Sequence, residues 1–91
     1  MILVLLALFI NMHDFHLADQ IKKIVLEHAA KNGFKNISKI EIELGDIIEH
    51  GETINPDNLI FHLKALGLDA EINVKKIKGD KWSLVSLDGD Q

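Results

Sequence analysis

The chain has 91 residues, a formal net charge of −4 and no cysteine. This length suits one domain with a modest core. The missing cysteine excludes a disulfide scaffold, a thiolate zinc site, an iron–sulfur cluster and a cysteine nucleophile. The mild acidity argues against a nucleic-acid partner, which favours a basic stripe.

Met1 to Ile10 (MILVLLALFI) carries no charged or polar side chain. It is too short to cross a bilayer, which takes about 20 apolar residues. It lacks the cationic start and small-residue cleavage site of a secretory signal. Three readings stay open: a buried strand or extra helical turn, a translation start at Met12 instead of Met1, and an export or membrane signal. Residues 1–11 are therefore set apart as an apolar extension, and residues 12–91 as a single domain.

The first helix follows. Leu17, Ile21, Ile24, Val25 and His28 recur at helical spacing and define one face, and Asn32-Gly33 ends it. Ile40, Ile42 and Leu44 then alternate with Lys39, Glu41 and Glu43, which predicts a strand with one dry face. Ile47 to Thr53 reads as a polar loop. A second helix opens with Asn55 as N-cap, Pro56 at its first position and Asp57 in its first turn. Ile54 and Leu59 are spaced for a hydrophobic staple. Leu59, Leu63 and Leu66 form its buried stripe, with Ile60 beside it, and Gly67 stops it.

A second strand runs through Ala70, Ile72 and Val74. Lys78-Gly79-Asp80-Lys81 reads as a two-residue hairpin turn into a third strand, Trp82 to Leu87. The fold expected is α+β, in the order α-β-α-β-β. Two helices cover one face of a small mixed three-stranded sheet. A crossover makes strands one and two parallel, and a hairpin makes strands two and three antiparallel. A strand within Ile2 to Ile10 would add a fourth member at an edge.

No catalytic set emerges, so the chain is not expected to be an enzyme. Gly45, Gly51 and Gly67 stand alone at turns, and Ser38, Ser83 and Ser86 lie in strand-like segments without a nucleophile elbow. Glu41 and Glu43 read as the wet side of a strand. Lys75, Lys76, Lys78 and Lys81 read as a solvated turn or, alternatively, as a surface for an acidic partner. Of the five histidines, His28 reads as a structural residue near a helix C-terminus, and His50 and His62 as exposed. His13 and His16 cluster in Met12-His13-Asp14-Phe15-His16, where Asp14 adds oxygen donors. Imidazole suits zinc, copper and nickel alike.

The ordered set Met12-His13-Asp14, Leu17-Ala18, Ile21, Ile24, Val25, Gly33 and Ile42-Glu43-Leu44-Gly45-Asp46 resembles the HypA/HybF family of nickel-delivery proteins in hydrogenase maturation. Members begin Met-His-Glu, and their first strand ends in Gly-Glu. Asn55-Pro56-Asp57 and the aromatic at Phe61 continue the pattern. The resemblance covers roughly residues 12–77, and the last strand extends it.

The resemblance implies a nickel metallochaperone. Its metal ligands would be Met12 through its amine, His13 through amide and ring, and Asp14 through its amide. Square-planar nickel(II) favours such nitrogen donors. Asp14 stands where the family has Glu. In this chain a peptide bond from Asn11 occupies the Met12 nitrogen. The amine donor exists only if translation starts at Met12 or the extension is removed. The family also carries a zinc module of two Cys-x-x-Cys pairs between its last two strands. Here Lys78-Gly79-Asp80-Lys81 stands in that place, so nickel is expected and zinc is not. The implied partners are a maturation GTPase and a hydrogenase large subunit, in the cytoplasm, with neither nucleic acid nor membrane. The alternative is a non-metal interaction or assembly domain on the same scaffold, with Met1–Ile10 as a partner or homodimer surface.

Overall fold

A computed structural model describes residues 2–4, 17–49 and 51–91 of the chain. The elements are β1 (Ile2–Val4), α1 (Leu17–Lys31), β2 (Asn36–Leu44), β3 (Ile48–Glu49), β4 (Glu52–Thr53), α2 (Pro56–Ala65), β5 (Glu71–Lys76) and β6 (Trp82–Asp90). Two helices pack on a mixed sheet, the α+β arrangement expected from the periodicities.

Both helices form where the apolar spacing places them. The buried face of α1 is Leu17, Ala18, Ile21, Val25 and Ala29. Ile24 and His28 lie at its half-buried margin. Helix α2 begins as its punctuation predicts. Asn55 is the N-cap, and its Oδ1 accepts the N–H groups of Asp57 at 2.7 Å and Asn58 at 3.2 Å. Leu59 and Leu63 are buried, and Leu66 is half-buried at the C-cap. Lys22 ties the helices together, since its Nζ donates to the Leu66 carbonyl at 2.7 Å. A cation there also meets the negative end of α2.

The sheet order is β1-β6-β2-β5. β2 and β5 are parallel, joined through α2, as the crossover requires. The expected hairpin between the last two strands does not form. β5 and β6 flank β2 on opposite sides, and β6 pairs antiparallel with β2 instead of with β5. The connecting segment crosses the end of β2 and is hydrogen-bonded to it. Ile77 N–H donates to Leu44 O at 2.9 Å, Asp46 N–H to Gly79 O at 2.6 Å and Gly45 N–H to Lys81 O at 2.8 Å. Gly79 supplies the positive φ (97°) that this bend needs.

Burial explains the choice. β6 brings Trp82, Leu84 and Leu87 to the core, all 1% exposed or less, whereas β5 buries only Ile72. The more apolar strand takes an interior position in the sheet, and the more charged one takes an edge. A bulge keeps β6 in phase. Glu41 lies opposite Ser86 and Ile42 opposite Leu84, so Val85 is an extra residue. It shifts the alternation so that Trp82 and Leu84 on one side of it, and Leu87 and Gly89 on the other, are all buried.

Two further corrections concern boundaries. The segment read as a polar loop contains a two-stranded antiparallel ribbon, with Ile48 opposite Thr53 and Glu49 opposite Glu52. Strand β6 extends past Leu87 to Asp90. At the N-terminus, the possible edge strand is present over Ile2–Val4, antiparallel to β6; the rest of the Ile2 to Ile10 expectation lies outside the described residues.

Candidate functional site

Met12, His13 and Asp14 lie outside the described residues, as do His16 and His50. The described chain resumes at Leu17, three residues after Asp14. What the fold fixes is the end of the domain at which that happens.

Helix α1 packs on α2 and β6, and the short connection from Asn32 to Lys35 turns its end directly back into Asn36 at the start of β2. Leu17 therefore sits at the end of the sheet where β2 finishes at Leu44 and β6 begins at Trp82, its register partner. The β3–β4 ribbon leaves from the same end. Its Glu49 reaches the helix, and Oε1 accepts the Leu17 N–H at 3.1 Å. A carboxylate there satisfies one of the donors a helix start leaves without a partner, and it matches the positive end of the helix dipole. Glu49 thus anchors the start of the helix into which Met12-His13-Asp14 leads. Sequence reading passed over it as one acidic residue in a polar loop. No local signal marks a cap supplied from 32 positions away.

Among the described residues, this end holds two buried polar atoms without hydrogen-bond partners. Trp82 is 1% exposed, yet its Nε1–H is buried and unpaired, and so is Oε1 of Gln20 in the first turn of α1. Such atoms are uncommon in folded proteins. Lys76 closes the same end from β5. Its Nζ donates to Gly45 O at 2.9 Å and pairs with Asp46 Oδ1 at 2.9 Å.

The remaining histidines are placed elsewhere. His28 is half-buried in the last turn of α1, where its carbonyl accepts from Asn32 Nδ2 at 2.8 Å. His62 is exposed on α2 beside Phe61, ring centroids 5.9 Å apart. Among the described residues no group of three or more His, Asp or Glu side chains is arranged to hold a metal ion. Glu41 and Glu43 lie half-buried on the sheet face away from the helices. Lys39 bridges Glu41 at 3.3 Å and Glu71 at 3.6 Å on that face. Its ammonium is held above the ordinary 10.5, first by the hydrogen bond and charge of Glu41 and then by the charge of Glu71.

Comparison with known proteins adds one relationship of substance. The chain is 30% identical over 78 residues to the hydrogenase maturation factor HypA of Rhizobium leguminosarum bv. viciae. The match takes in 80% of this chain and 66% of that protein. The relationship to HypA is a distant one. A second match, 34% identical over 63 residues, is to the nuclear speckle splicing regulatory protein 1 homolog of Schizosaccharomyces pombe. It covers 69% of this chain but only 18% of that protein, so it is a local likeness. No family profile matches the chain, and no solved structure does. The expectation of a non-enzymatic role agrees with a relative described as a maturation factor. No helix among the described residues is long and apolar enough to cross a membrane.

Proposed function

We propose that this chain is a nickel-binding accessory protein that passes nickel(II), its cargo, to a hydrogenase during maturation. The observation that carries the reading is the 78-residue likeness to HypA. The order of Met12-His13-Asp14, Leu17-Ala18 and the strand ending Leu44-Gly45-Asp46 supports it.

The donors are the Met12 amine, the amide and imidazole of His13, and the amide of Asp14. Amine, amide and imidazole nitrogens in contiguous chelate rings suit a square-planar ion. Glu49 contributes by holding the start of α1, which fixes the point from which the ligand segment departs. With no cysteine in the chain, a thiolate zinc module plays no part. The proposed clients are a maturation GTPase and a hydrogenase large subunit, in the cytoplasm.

Calorimetric titration of nickel into a chain beginning at Met12 tests the reading. One saturable site near neutral pH is expected, and His13→Ala should abolish it. The chain beginning at Met1, whose Met12 nitrogen is acylated, should bind far more weakly. Absence of saturable binding, or equal binding by the His13→Ala chain, removes the reading.

A further inference from the structure

The two edges of the main sheet differ in chemistry. One edge is β5, which carries Glu71, Lys75 and Lys76. Charges of this kind discourage pairing with another chain. At the other side, β6 has no lysine, arginine or proline anywhere from Trp82 to Asp90, and it is uncharged from Trp82 to Leu87. Its charges are confined to Asp88 and Asp90, so it has fewer of the features that usually protect an exposed edge. Among the described residues β1 covers it, with Ile2 opposite Asp88, Leu3 opposite Leu87 and Val4 opposite Ser86.

We propose that this side of β6 is an interface for a second copy of the chain, which β1 holds closed. The slot takes an antiparallel strand, because β1 is antiparallel to β6. A strand and its two-fold copy are antiparallel by symmetry, so β6 of a second copy fits with no change of direction. An axis through Leu87 sets Leu87 against the partner's Leu87 and Ser86 against the partner's Asp88. The same three positions that β1 now covers are filled, and no like charges face each other.

The occupancy of this edge is tied to the Met12 amine. That amine is free only in a chain lacking residues 1–11, and such a chain has no β1. The form able to offer the amine to nickel is therefore the form with the open edge, and it is dimeric. This link rests on the nickel reading above; the edge itself does not.

The test needs no metal. In the full chain, Leu3→Pro with Val4→Pro removes two successive N–H groups, one of which must face β6. Light scattering at increasing protein concentration should find the native chain at its monomer mass of 10.2 kDa. The variant should self-associate at least about tenfold more tightly and reach twice that mass. Adding Ser86→Asp to the variant sets like charges against each other across the axis and should restore the monomer. Circular dichroism checks that the helices persist. Should the proline pair unfold the chain, Leu3→Gly with Val4→Gly loosens β1 more gently and carries the same expectation. The proposal falls if a folded β1 variant stays monomeric, if the native chain already dimerises equally, or if Ser86→Asp leaves the dimer intact. Failure of nickel binding alone would leave these masses unchanged.

Discussion

Gly45 lies directly beneath Gly79: a Cβ added to Gly45 would come within 2.5 Å of the Gly79 carbonyl oxygen. The Lys81 carbonyl would be only 2.6 Å away. Both obstacles are backbone, held by hydrogen bonds from Gly45 and Asp46. The β5–β6 connection is thus pressed onto the end of β2, and glycine is the residue that lets it come so close.

Gly45→Ala should therefore cost about 3 kcal/mol, at the upper end of single substitutions. Gly51→Ala is the control. Gly51 has φ +81° but open space around its Cα, so only left-handed strain of about 1 kcal/mol applies. Urea unfolding of the two variants should separate them clearly.

Glu49→Ala removes the carboxylate that caps α1 at Leu17. A loss of about 1 kcal/mol is expected, typical of a helix cap. Hydrogen exchange should speed up at the first turn of α1 before it does in α2, whose own cap at Asn55 is untouched. Equal protection of both helices would show that Glu49 anchors nothing.

Trp82 supplies a third case. Trp82→Ala should cost about 3–5 kcal/mol, because it opens a cavity in the core. Trp82→Phe loses some contact area but also removes a buried N–H that has no partner. Its cost should stay below about 2 kcal/mol, since deleting an unsatisfied donor offsets part of the lost packing. A Phe variant as damaged as the Ala variant would mean that the indole N–H is paired after all.

Lys39 gives a pH dependence whose sign follows from its raised pKa. A group held charged in the fold stabilises it fully below its unfolded value of 10.5, and that contribution is lost as pH rises through the folded value. The site is open to solvent, so the effect is small. Lys39→Met should unfold at slightly lower urea than the native chain at pH 8. The gap should close as pH is raised past the folded value, which lies above 10.5. A constant gap at both pH values would assign the difference to packing instead of charge.

Some features of this protein are local, and the sequence by itself determined them. The buried faces of α1 and β2 follow from residue spacing, and the start of α2 follows from Asn55, Pro56 and Asp57. Each involves neighbours a few positions apart, so periodicity and capping chemistry suffice. The distant likeness to the hydrogenase maturation factor HypA is also carried by residue order.

Strand partnership was decided only by the tertiary structure. Gly79-Asp80 suits a hairpin turn, yet β6 crosses to the far side of β2, since Trp82, Leu84 and Leu87 need an interior place that β5 does not. The bulge at Val85 is settled the same way, by the need to keep those side chains on one face. Glu49 meets Leu17 only because β2 ends where α1 begins. Such contacts join residues far apart in the chain, and they are chosen by burial and closure of the whole sheet.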